Sequence, residues 1–256
     1  MTPSQNLKNS QSPSCSALLQ RPDAVLFDYD GVLVASENIH LSAWMQLLAE
    51  LGLPEDKKGK KIIQEGVGKT APQVLADLLN QHQPNWSPDQ YMIPDLVQRK
   101  NDFYVALAQK DLQTYPGVRE GIEWLRSQNI ATAIVSNGRR RDLLQTVKSL
   151  NLSPLFDEIV SRDDVPAFKP DPTPYLFAAA TLGKDPSRCL AIEDSPTGLE
   201  AALLARIPVA AVTTNFPAET LATPVLGRPD LKPIWIGPSI RDFFTWLKSL
   251  PTESSL

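Results

Sequence analysis

Apolar residues along this chain fall into two kinds of block, short continuous runs and longer stretches at helical spacing, and the two kinds alternate. The first strong block is AVLFDYD, residues 24–30, where an apolar run ends abruptly in acids and Gly31. That pattern predicts a strand buried on both faces of a parallel sheet. Ser36 then stands at an N-cap position, and Ile39, Trp44, Leu47, Leu48 and Leu51 recur at helical spacing until Gly52 and Pro54 stop them.

From about 53 to 112 no strand-like run occurs, and helices are predicted around 70–82 and 88–110, separated by Gly and Pro. After Tyr115-Pro116-Gly117 a regular series begins. It predicts helix 117–128, strand 130–136, helix 139–150, strand 157–160, helix 173–182, strand 189–192, helix 196–205 and strand 207–212. One more strand is expected near PIWI, 233–236, and a last helix over 239–249. Strands spaced by helices imply βαβ units and a parallel α/β sheet. The segment before them reads as a helical insertion.

With 256 residues, 42% of them hydrophobic, the chain can bury a core of one or two domains. No stretch approaches the roughly 20 apolar residues of a membrane span. A net charge of -4 with scattered basic residues argues against nucleic acid. The run DKKGKK, 56–61, is the one basic cluster and reads as a solvated loop, with a positive rim for an anionic substrate as the sharper alternative. Two cysteines, Cys15 and Cys189, are too few for a disulfide framework, which fits a reducing, cytoplasmic setting. Residues 1–20 lack acids and a long apolar segment and read as a disordered tail; an organellar transit peptide, with Lys8 as its only basic side chain, is the weaker alternative.

In open parallel sheets ligands bind beyond the carboxyl ends of the strands. The polar residues there are Asp28 and Asp30 after the first strand, Ser136 and Asn137 after 130–136, and Glu193 and Asp194 after 189–192; Lys169 lies in the loop DDVPAFKPDP. Positions 28 and 30 point the same way in extended backbone, so their carboxylates repel unless a cation or proton sits between them. Glu193 and Asp194 add to the crowding. Magnesium relieves it with oxygen ligands shared between carboxylates, water and substrate phosphate. Lys169 and Ser136 then serve phosphate oxygens, and Asp28 is left as a nucleophile. Such a set fits phosphoryl transfer.

Four motifs, AVLFDYDGVL, AIVSNG, FKPDPTPYLFAAA and LAIEDSPTGLEAA, occur in this order over residues 24–212 and resemble those of the haloacid dehalogenase superfamily. The resemblance implies a Rossmann-like doubly wound core over 21–35 and 113–256, with an all-helical cap inserted over 36–112. It implies that Asp28 forms an aspartyl-phosphate while Asp30 serves as acid and base. It implies Mg2+ held by Asp28, the Asp30 carbonyl and Asp194, with Glu193 ligating or orienting water. Ser136, Asn137 and Lys169 would bind phosphate.

Shorter signals resemble the branch of β-phosphoglucomutase and related sugar-phosphate phosphatases. His40 and Trp44 lie in ENIHLSAW, Lys100 in RKNDFYV, and Gly66 and Lys69 in EGVGKT, all as candidate substrate contacts. His40 and Trp44, at i and i+4, also suit mere packing. EGVGKT is not a P-loop, because Ile63 stands where the first Gly belongs and no strand precedes it. Ala35 and Arg206-Ile207 depart from common family residues without touching the chemistry. Ser136-Asn137-Gly138 departs from the mutase pattern and favours a phosphatase over a phosphosugar mutase; a catalytically silent binding protein is the third reading. Nothing specifies the substrate or the oligomeric state, and a monomer suffices.

Overall fold

The computed structural model describes residues 20–66, 69–87 and 92–251. Except for Gln20, the expected tail lies outside them, as does Cys15.

Six strands form a single parallel sheet: β1 (Ala24–Phe27), β2 (Ala131–Val135), β3 (Glu158–Val160), β4 (Cys189–Glu193), β5 (Val209–Val212) and β6 (Trp235–Gly237). Their order is β3-β2-β1-β4-β5-β6, and every neighbouring pair is parallel. This is a doubly wound sheet whose winding reverses between β1 and β4. β1 and β5 are buried at every residue, which is why they read as unbroken apolar runs.

Between β1 and β2 come α1 (Glu37–Glu50), α2 (Lys57–Glu65), α3 (Ala71–His82), α4 (Ile93–Asp111) and α5 (Val118–Ser127). Then α6 (Arg140–Ser149) follows β2, α7 (Thr173–Thr181) follows β3, α8 (Pro196–Leu204) follows β4, α9 (Ala218–Leu221) follows β5 and α10 (Ile240–Ser249) follows β6.

Successive strand residues feed opposite cores, as the pleat requires. Val25, Phe27, Ile134 and Ile192 meet α5, α6 and α10 through Ile122, Val147 and Phe243. The Phe27 ring takes Phe156 and Phe243 edge-on, with centroids 5.9 and 6.5 Å away. Leu26, Ala133 and Ala191 face the other way, against Tyr175, Ala178 and Ala202 of α7 and α8.

Helices α1 to α4 share a third core made of Trp44, Leu47, Leu48, Ile63, Leu75, Leu78, Leu79 and Val97. Burying one such leucine contributes about 1.5–3 kcal/mol, which is what holds this helical layer together away from the sheet. Two chain segments join it to the sheet, and they pair with each other. Ala35 N donates to Gln113 O and Tyr115 N donates to Leu33 O, each at 3.0 Å, around an antiparallel bridge from Val34 to Thr114.

Two expectations need correction. The run at 56–61, read as a solvated loop, is instead the start of α2: Asp56 caps it by accepting from Gly59 N at 2.8 Å, and Ile63 is buried on its inner side while the lysines stay exposed. Ser36 does precede α1, but its side chain makes no cap hydrogen bond. It is buried and directed at Asp30. The helix expected over 88–110 is seen from Ile93 to Asp111, with 88–91 outside the described residues.

Candidate active site

At the reversal point of the sheet, the ends of β1 and β4 lie side by side, because Phe27 is in register with Ile192. The chain leaving β1 carries Asp28 directly onto the residues leaving β4, Glu193 and Asp194. Carboxylate oxygens of Asp28, Glu193 and Asp194 all fall within 4.8 Å of one another. Glu193 and Asp194 are buried.

Lys169 is buried among them. Its Nζ donates to Asp28 Oδ1 and to Glu193 Oε1, both at 2.6 Å. Tyr175 OH donates to the same Glu193 oxygen at 2.6 Å, and the Lys169 ammonium lies 4.9 Å from the centre of the Tyr175 ring. The loop carrying Lys169 is clamped by Asn137, whose Oδ1 accepts from Lys169 N and whose Nδ2 donates to Lys169 O, each at 3.0 Å. Both polar ends of the Asn137 side chain are thus engaged by the backbone of Lys169. Ser136 is buried nearby, with Gly138 N donating to its Oγ at 2.9 Å.

One ammonium does not balance three carboxylates in a site shielded from water. Burial, followed by the charges of Glu193 and Asp30, pushes the Asp28 carboxyl up to about 7 despite Lys169. Burial together with Asp28 and Glu193 drives Asp194 well above the carboxylate range. Lys169 is shifted upward, since the two carboxylates outweigh the burial that opposes its charge. The donor set is all oxygen, the excess charge is negative, and the carboxylates converge. These residues fit a hard divalent cation such as magnesium.

Asp30 points elsewhere, toward the helical layer. It is half-buried, 3.7 Å from His40 Nε2 and 3.5 Å from Tyr104 OH. His40 stacks on the Tyr104 ring at 4.1 Å, and its Nδ1 meets Lys100 Nζ at 2.8 Å. Lys100 is buried and lies 5.3 Å from the ring centres of both Trp44 and Tyr104. Burial works against the Asp30 charge, but His40, Ser36 and Lys100 together hold its carboxyl below the usual range. Burial also lowers Lys100, to about 8, with Asp30 and Asp142 partly offsetting it. His40 is lowered by burial and by Lys100.

The structure therefore brings Asp28, Asp30, Ser136, Asn137, Lys169, Glu193 and Asp194 to one end of the sheet and sets His40, Trp44 and Lys100 over Asp30. Gly66 and Lys69 are placed differently. Gly66 ends α2, where a Cβ would lie 2.8 Å from Val74, and Lys69 pairs with Asp77 at 2.8 Å on α3. Among the described residues, no contact of either reaches the carboxylates.

Four contributors went unread in the sequence: Glu37, Tyr104, Tyr175 and Asn215. Asn215 follows β5 by three residues, a strand-end position of the kind that exposed the others.

Residues 25–212 match the family of haloacid dehalogenase-like hydrolases. Over 217 residues the chain is 29% identical to a validoxylamine A 7'-phosphate phosphatase of Streptomyces hygroscopicus subsp. limoneus, covering 84% of this chain and 98% of that one. It is 30% identical to hexitol phosphatase B of Escherichia coli K12, covering 72% and 80%. Its fold superposes on that of a β-phosphoglucomutase of Clostridium difficile with a TM-score of 0.70 at 23% identity, covering 89% and 96%.

Proposed function

This chain belongs to the haloacid dehalogenase-like hydrolase family, and from that premise we propose that it is a magnesium-dependent phosphatase of a small sugar or sugar-acid phosphate. The observation that carries this reading is the convergence of Asp28, Lys169 and Asp194 at the end of β1 and β4. Relatives named as phosphatases of phosphorylated carbohydrates and related metabolites support the substrate class.

Asp28, the Asp30 carbonyl, Glu193 and Asp194 would hold the cation. When bound, it supplies positive charge that keeps these carboxylates ionised and offsets charge on the phosphoryl oxygens. The ionised Asp28 oxygen forms a bond to phosphorus as the bond to the ester oxygen breaks, and Asp30 delivers a proton to that oxygen. Water then attacks the aspartyl-phosphate, Asp30 takes the water's proton, and Asp28 is returned as a carboxylate with release of inorganic phosphate. Splitting the transfer lowers each barrier. Lys169 and Ser136 serve the phosphoryl oxygens, and Asn137 contributes by fixing the Lys169 loop.

Asp30 starts ionised, which suits the second step. For the first it must gain a proton, and an incoming phosphate favours this because a neighbouring negative charge raises a carboxyl pKa. The helical layer over residues 36–112 acts as a cap: His40, Trp44 and Lys100 meet the organic part of the substrate above Asp30, and closure excludes bulk water. The free, buried Cys189 suits a reducing compartment such as the cytoplasm.

Phosphate release from a panel of phosphorylated polyols, sugars and sugar acids tests the reading. Activity that requires magnesium and disappears in Asp28→Asn supports it; no release from any member, or turnover surviving that substitution, refutes it. A phosphosugar mutase is the second reading, favoured by the His40–Lys100 pair over Asp30. Formation of glucose 6-phosphate from β-glucose 1-phosphate in excess of free phosphate would select it.

A further inference from the structure

Asn215 lies in the turn between β5 and α9, and its amide joins two carboxylates. Nδ2 donates to Asp194 Oδ2 at 2.5 Å and to Glu37 Oε1 at 3.0 Å. An ionised carboxylate only accepts, so in the charged form in which Asp194 would bind a cation both contacts require the amide nitrogen, and its two hydrogens are both committed.

The second partner gives this bridge its meaning. Glu37 opens α1, directly after the segment that leaves the sheet at Val34 and Ala35. Tyr115 closes the returning segment, and its OH donates to the Glu37 carboxylate at 3.3 and 3.4 Å. A chain of side chains thus runs from both connections of the helical layer, through Glu37 and Asn215, to Asp194. Gly31 leaves room for it: a Cβ there would stand 2.0 Å from Asp194 Oδ2 and 2.6 Å from Asn215 Nδ2.

Resting on the reading of Asp194 as a cation ligand, we propose that Asn215 is a positioning residue that holds the Asp194 carboxylate in its cation-binding orientation and is itself anchored by Glu37 at the junction with the helical layer. A neutral amide suits this task. An Arg or Lys in its place would orient Asp194 equally well but would cancel the negative charge that the cation needs. Partners that orient a metal-binding carboxylate in this way typically contribute 10–100-fold to metal affinity. Because the same amide is tied to Glu37, loss of the Glu37 acceptor frees Asn215 to turn away, and the orientation of Asp194 is lost with it.

The test is calorimetric titration of the full chain with magnesium chloride, alongside thermal unfolding in EDTA to check folding. Asn215→Ala is expected to weaken magnesium binding about 10–100-fold while unfolding in EDTA stays close to wild type. Glu37→Ala is expected to weaken it in the same direction, and Glu37→Gln, which keeps an oxygen acceptor for the amide, to recover most of the loss. Magnesium bound equally well by wild type, Asn215→Ala and Glu37→Ala would overturn the proposal and leave the phosphatase reading standing. A wild-type chain that binds no magnesium would overturn both. A deficit in Glu37→Gln equal to that in Glu37→Ala would remove Glu37 as the anchor, since charge rather than the hydrogen bond would then be at work.

Discussion

Lys169 and Asp28 are 141 positions apart in the chain, yet Lys169 Nζ donates to Asp28 Oδ1 at 2.6 Å in a buried site. The same ammonium holds Glu193 Oε1, so it is the counter-charge for two carboxylates at once. Lys169→Met should therefore damage two properties together. Losing one preorganised donor to the phosphoryl group costs about 10²–10³ in kcat, and leaving buried charge unpaired costs about 3–5 kcal/mol of stability. Steady-state kinetics and denaturant unfolding without metal check both; a stable, active Lys169→Met protein would remove this residue from the site.

Much of this site is legible in the sequence, for a physical reason. Strands buried on both faces must be apolar runs, so the polar residues ending them stand out, and Asp28, Ser136, Glu193 and Asp194 are found that way. Lys169 ends no strand and is found instead as the lone lysine of the loop between a strand and a helix. Tyr175 is hidden because nothing local distinguishes a tyrosine inside an apolar helix from ordinary packing, whereas Asn215 has a strand-end position but stands three residues beyond β5, in a turn where an asparagine is an ordinary residue. Glu37 likewise looks like an acid matching the helix dipole in a first turn. Helix α2 was obscured by its lysines: only Ile62 and Ile63 are strongly apolar, and the side that Gly59 and Ile63 bury is too narrow to show as a period.

The raised pKa of Asp28 sets a pH dependence with a definite sign. Its folded value of about 7 lies above the ordinary 3.8, so without metal the native protein binds the extra proton between those values. Stability from this group is fully present at low pH and is lost as pH rises through about 7, by on the order of 2–4 kcal/mol. Magnesium, which favours the ionised form, should offset that loss. The difference in Tm between magnesium and EDTA should therefore grow from about pH 5 to about pH 7.5. A difference that is flat with pH would contradict the assignment.

Lys100 behaves in the opposite sense. Its folded pKa of about 8 lies below 10.5, so its buried charge costs stability at neutral pH, and the cost fades as pH rises through about 8 toward the unfolded value. Lys100→Met should stabilise the protein by about 1–3 kcal/mol near neutral pH and by less in alkali. The same change should raise KM, because the cation over Asp30 is gone. Denaturant unfolding near pH 7 and pH 10, with kinetics at neutral pH, checks the pair of effects; a destabilised variant with unchanged KM would mark Lys100 as structural.

Gly31 occupies a left-handed conformation, with φ of +78°, against Asp194. Alanine there is strained by its backbone and would force Asp194 and Asn215 aside. Gly31→Ala should reduce kcat/KM about 10²-fold or more, since displacing a reacting group by an ångström costs that much. Retention of wild-type kinetics would show that Asp194 need not stay where it is.

Phosphorylation of Asp28 itself is the most direct measurement. Asp30→Asn retains the nucleophile but lacks the base for hydrolysis, and p-nitrophenyl phosphate needs no proton on its leaving group. Mixing the two with magnesium, quenching in acid and analysing peptides by mass should reveal one phosphoryl group on the peptide containing Asp28. Substrate turnover by the wild-type chain with no such adduct, or an adduct on another residue, would contradict the mechanism.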